Sequence, residues 1–202
     1  MAARPANPRG TQTLAAADPV GTLSAAPLNI EVGAADLTVV GDTTLGADLY
    51  RASITYSGPK PEVMLDRPTG ELRISQQGDF GFFGFFGSRN LAIDLHINPS
   101  VTWSFTLNSG ATNATYKLSD VKVTSFESNS GAARLDITLR PPKGLVNISA
   151  NGGAPTVHVH RPTGTAVSVR DHGAAANPPT DGRPSAARHH AEVNAGRLAR
   201  AR

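Results

Sequence analysis

A glycine-alanine pair returns along this chain at an almost fixed interval. It occurs in LNSGATN at Gly110-Ala111, in SNSGAAR at Gly131-Ala132, in ANGGAPT at Gly153-Ala154 and in RDHGAAA at Gly173-Ala174. These glycines stand 21, 22 and 20 residues apart. An earlier copy, Gly33-Ala34, lies in IEVGAAD. Short alternating stretches run between the glycines, among them Leu135-Asp136-Ile137-Thr138-Leu139 and Val157-His158-Val159-His160. Each unit carries one apolar row that only neighbouring units can cover, so the period predicts stacked strands. The expected fold is all-β: a single-domain parallel β-solenoid with coils of about 21 residues. Positive φ is expected at the corner glycines. Asn108, Asn129 and Asn151, just before them, suit turn-forming side-chain hydrogen bonds.

Strand patterning begins at Leu28. Leu28, Ile30 and Val32 alternate before Gly33, and Leu37 and Val39 follow it. Val63 and Leu65 enter a turn at Pro68-Thr69-Gly70, from which Leu72 and Ile74 leave, as in a hairpin or a coil-turning unit. Leu91, Ile93, Leu95 and Ile97 alternate strictly, and so do Val101, Trp103, Phe105 and Leu107. Residues 1–26 are rich in Ala, Pro, Thr and Gly without periodicity and are expected to form a flexible leader. The solenoid is expected over residues 27–175 and a basic disordered tail over 176–202. That tail, with a weak helix as its only regular structure, lacks the apolar residues to offset ordering entropy.

Composition excludes several classes. Charged residues are 17% of the 202-residue chain, too few for the wet faces of a helical protein, and Gly 20 with Pro 15 suits a turn-rich β protein. No cysteine is present, so disulfides, thiolate metal sites and cysteine nucleophiles are excluded. The net charge of +3 is concentrated late, where seven arginines from Arg161 to Arg202 face only Asp171, Asp181 and Glu192. Such an end touches anionic lipid or nucleic acid only non-specifically. No stretch reaches the roughly 18–20 apolar residues of a membrane span, and the first 26 residues hold no apolar segment of signal-peptide length. The chain reads as soluble.

The stretch NSGATNATYKLSDVKVTSFESNSGAARLDITL, continued by PPKGLVNISANGGAPTVHVHRPTGTAVSVR, resembles the bacterial toast-rack families. These comprise adhesin-type stacked β domains and the C-terminal domain of LiaF-like cell-wall-stress proteins. The resemblance covers roughly residues 28–175. It implies stacked β-strands, attachment to a small multi-pass membrane segment that would lie outside this sequence, and a role in the envelope as scaffold or stress-response accessory. It implies no catalytic residue, and the residues themselves lead to no expected cofactor or metal. The partner implied is a membrane protein or a membrane surface. An extracellular adhesin-like ligand-binding module is the second reading, and a β-helix polysaccharide-active enzyme the third.

Five of the seven Phe residues fall in one segment, as Phe80, Phe82, Phe83, Phe85 and Phe86. With its interleaved glycines it reads either as an apolar tip for a bilayer or partner, or as a cover for an open end of the stack. His158 and His160 share one face of a strand without a third ligand nearby, so a solvated face outweighs a metal pair. Asp136, Arg134 and His158 could align across neighbouring units, as the enzyme reading requires. Basic and aromatic residues are not interleaved as nucleic-acid modules need, and no phosphate loop, Ser nucleophile motif or zinc spacing occurs.

Overall fold

The computed structural model of the protein describes residues 10–76, 90–141, 146–160, 168–171 and 190–191. Eleven strands form one sheet: β1 (Gln12–Pro19), β2 (Ala25–Gly41), β3 (Asp48–Tyr56), β4 (Glu62–Asp66), β5 (Glu71–Ser75), β6 (Leu91–Ile97), β7 (Thr102–Leu118), β8 (Lys122–Leu139), β9 (Asn147–His160), β10 (Ser168–Asp171) and β11 (His190–Ala191). Their order is β1-β3-β6-β2-β7-β8-β9-β10-β11, with β4 beside β5 and β5 beside β2. The described residues contain no α-helix, only a 3-10 turn at Thr43–Leu45.

The long strands owe their shape to the glycine-alanine pairs. In β2 the buried residues are Ala26, Leu28, Ile30 and Val32, then Ala35, Leu37 and Val39. The parity of burial flips at Gly33-Ala34. The same flip separates Trp103, Phe105 and Leu107 from Ala114, Tyr116 and Leu118 around Gly110-Ala111, and Phe126 from Leu135, Ile137 and Leu139 around Gly131. A strand alternates its side chains between two faces, so a shift of one position moves its apolar row to the other face. Each pair therefore bends one long strand into two halves that both turn their apolar rows inward. β2 accordingly pairs with β5 before the corner, over Leu28–Glu31, and with β6 after it, over Asp36–Gly41.

One core lies between the halves. Phe105 and Phe126, from first halves, meet Tyr116, from a second half, with ring centroids 5.5 and 4.7 Å apart. Trp103 is fully buried and donates from Nε1 to the Asn98 carbonyl at 2.9 Å. Edge-on rings and a satisfied indole N–H make this cluster favourable beyond its buried area.

The structure differs from the sequence reading at four points. The sheet is mixed: β2, β5, β6, β7, β8, β9 and β10 make parallel pairs, while β1, β3, β4 and β11 pair only antiparallel. The stack is thus not a uniform parallel solenoid. Asn108 sits opposite Asn129, 21 residues on, and Asn129 opposite Asn151, 22 residues on, but Val32 pairs with Ser109, 77 residues on. The chain makes β3, β4, β5 and β6 inside that interval. Second, Gln12–Pro19, within the expected leader, forms β1, held by β3 along its length and by the Tyr50 hydroxyl on Asp18 at 2.7 Å. Third, His190–Ala191, within the expected tail, pairs with Val169–Arg170.

Fourth, the corner glycines Gly110 and Gly131 do not have positive φ. Close approach demands them instead: a Cβ on Gly110 would lie 2.7 Å from the Gly33 carbonyl oxygen, and one on Gly131 the same 2.7 Å from that of Gly110. Positive φ occurs where the β4-β5 hairpin turns, at Gly70, with φ 75°. That hairpin follows the sequence reading, with Val63 opposite Ile74 and Leu65 opposite Leu72.

Candidate functional site

The outward positions of the stacked halves form two polar faces. On the second halves, one row runs through Ser53, Asp94, Thr38, Thr115, Asp136 and His158, contributed in that order by β3, β6, β2, β7, β8 and β9. Neighbouring strands lie about 4.8 Å apart, so the row spans about 24 Å. A parallel row carries His96, Val40, Lys117, Thr138 and His160. These positions are outward because every second residue of each strand is committed to the core.

Several ionisable groups on this face are paired. Asp42, just after β2, accepts from the Thr44 amide at 2.7 Å and the Thr44 hydroxyl at 2.6 Å through Oδ1. Its Oδ2 stands 2.8 Å from His96 Nδ1. The Thr44 hydroxyl and amide bonds, and then His96, hold the Asp42 carboxyl at about 2, below the ordinary carboxylate range. His96 Nε2 is 3.8 Å from Asp94, and His160 Nε2 is 3.2 Å from Asp136. Asn113 donates to Asp36 at 3.1 Å.

The face on the first halves carries an asparagine ladder. Asn151 donates to Asn129 at 2.8 Å, Asn129 to Asn108 at 3.0 Å and Asn108 to Asn29 at 3.3 Å. Stacked amides of this kind satisfy one another strand by strand. Asn29 in turn donates to Glu31 at 3.1 Å, and Glu31 binds the Arg73 guanidinium. The Arg73 hydrogen bond, more than its charge, holds the Glu31 carboxyl low. A recess of about 220 Å3 lies here between Glu31, Glu62, Met64, Arg73 and Ser75.

Asp136 stands directly opposite His158 in the β8-β9 register, and Arg134 lies two residues before Asp136 on the same strand. They line up as the sequence reading allowed, yet the ion-pair contact of Asp136 is with His160, Nε2 lying 3.2 Å from Oδ1. Among the described residues no three His, Cys, Asp or Glu are placed to hold a metal ion. Phe80, Phe82, Phe83, Phe85 and Phe86 lie outside the described residues. The Asp42-His96 pair escaped the sequence reading, since its members are 54 residues apart and no local motif joins them. Asparagine before each corner was visible, but as a turn former rather than as a rung.

These features define a stack of bent strands whose outer faces are polar and partly paired within themselves. The chain belongs to the toast-rack family: the model for the N-terminal domain of toast_rack, DUF2154, matches residues 9–160. Among solved structures, one described as a candidate cell adhesion protein from Clostridium sporogenes is similar to it. That likeness has a TM-score of 0.60 at 20% identity and covers 75% of this chain and 73% of that one. A candidate adhesin from Parabacteroides merdae aligns at 9% identity with a TM-score of 0.26, over 79% of this chain and 96% of that one. No curated protein matches the sequence. Among the described residues no helix is long and apolar enough to cross a membrane.

Proposed function

We propose that this domain is a non-enzymatic module of the bacterial cell envelope, a scaffold or stress-response accessory that works by contact with a membrane protein. The observation that supports this reading is the polar face of the second halves. Its side chains come from six strands fixed in register, so it is a rigid surface with donors and acceptors at regular spacing. A surface of that kind binds with little loss of conformational freedom. The carboxylates nearest to catalytic use, Asp42 and Asp136, face His96 and His160 within the fold. The second reading is an extracellular adhesin-like module, favoured by the fold likeness to the candidate cell adhesion protein.

A photo-crosslinking residue placed at Thr115 or Asp136 in producing cells separates the two. The scaffold reading expects a discrete cross-linked envelope protein from both positions and none from Glu127, exposed on the face of the first halves. The adhesin reading expects no such product, and binding of the purified domain to foreign cells or matrix. Turnover of a polysaccharide abolished by Asp136→Asn would overturn both.

A further inference from the structure

The sheet ends at β1. Along one edge β1 bonds to β3 from Gln12 to Asp18. Its other edge meets no strand among the described residues. Sheet edges normally carry lysines, internal prolines or bulges that repel other strands. Here QTLAAAD has no lysine or arginine, and both its proline and its register shift wait until Pro19. Beneath this edge a groove of about 400 Å3 opens between β1 and β4, lined by Leu14, Ala16, Lys60, Pro61, Glu62 and Val63. Leu14 and Ala16 are only half-buried on its floor.

We propose that a second copy of this chain occupies the edge, the two β1 strands pairing antiparallel about a two-fold axis through Ala15. The sequence of β1 is complementary to itself in that register. Leu14 then faces Ala16 of the second copy, so inner face continues inner face. Thr13 faces Ala17, and Ala15 faces its own copy. Asp18, already held by the Arg67 guanidinium and the Tyr50 hydroxyl, faces Gln12 and not a second Asp18. The amide is suited to it: Gln12 Oε1 already accepts from the Tyr56 hydroxyl at 2.9 Å, which leaves its NH2 to donate. A slip of one residue would turn Leu14 and Ala16 out to solvent. A slip of two residues in one direction sets Asp18 against Leu14, and in the other sets Gln12 against Ala16. The pairing is isologous, the same patch on both copies, as a closed two-fold dimer requires. One strand per copy buries less than the roughly 1,200–2,000 Å2 of a standard interface, so the dimer is weak and depends on concentration.

The sequence contains no cysteine, so single thiols report the register. Across a strand pair, directly opposed Cβ atoms lie about 4.5–5.5 Å apart. Under mild oxidation or with a short thiol cross-linker, Ala15→Cys should give a covalent dimer rapidly. Ala17→Cys, which would face Thr13, should lag far behind. Sedimentation velocity should show dimer growing with concentration in the unaltered chain and only monomer in Ala15→Lys, where two ammonium groups would face each other. Circular dichroism should be unchanged, because Ala15 is exposed. A chain that stays monomeric at all concentrations overturns the proposal, even if its edge captures an added peptide. Equal cross-linking at positions 15 and 17 overturns it as well.

Discussion

Gly131→Ala tests why the corners need glycine. The new methyl would stand 2.7 Å from the Gly110 carbonyl oxygen, where ordinary contact begins at 3.4 Å. Either β7 or β8 must move by roughly 0.7 Å, and both sit inside a sheet of fixed register. Movement of β7 is hampered further, because β7 is itself paired with β2 along its length. Inserting a carbon into a packed site costs about 1–3 kcal/mol. Alanine recovers about 0.4–1 kcal/mol by restricting the unfolded chain. The expected net loss is about 1–2 kcal/mol, which lowers Tm by about 2–8 °C in a domain of this size. Gly33→Ala is the control: a Cβ there meets nothing within 4 Å, so stability should hold or rise slightly. Urea unfolding with an unchanged slope reads both values. A Gly131→Ala protein no less stable than Gly33→Ala would refute the close-approach argument.

Two further changes probe single groups. The Thr112 hydroxyl is buried without a hydrogen-bond partner among the described residues, so Thr112→Val should stabilise by about 1 kcal/mol in the same urea assay. Asp42 has its folded pKa lowered to about 2, so its contribution is complete above the ordinary carboxylate value and is lost as pH falls toward 2. Asp42→Asn should therefore reduce stability at neutral pH and flatten the acid limb of a Tm-versus-pH curve. A parallel curve displaced downward at every pH would show that the charge is not what matters.

What was legible in the sequence follows from what is local. Leu91, Ile93, Leu95 and Ile97 alternate and are all buried in β6, because a strand needs only its own period to declare its inner face. The turn from Leu65 to Leu72 was legible for the same reason. β1 was not: with Leu14 its only large apolar side chain, three consecutive alanines resemble a linker. The role of Gly110 and Gly131 was also hidden, since a demand for φ is local whereas a carbonyl from another strand is not. The site divides likewise. His158 and His160 were placed correctly on one outward face, but the ring that approaches Asp136 is that of His160 rather than that of the residue directly opposite. The Asp42-Thr44-His96 group joins the end of β2 to β6, which no sequence spacing announces.

The place of β2 in the stack has a consequence for how the chain is made. It pairs with β7 across 77 residues, whereas β8 and β9 find neighbours that left the ribosome about one unit earlier. At about 5–20 residues per second, the edge of β2 that takes β7 waits roughly 4–15 s for it. During that time a seventeen-residue strand containing Leu28, Ile30, Leu37 and Val39 keeps one edge open. Once β7 arrives, each later strand adds to a finished template, and growth runs in the direction of synthesis. Truncations after β7 should therefore be recoverable from cells, while chains that stop at β6 should be degraded or held by chaperones.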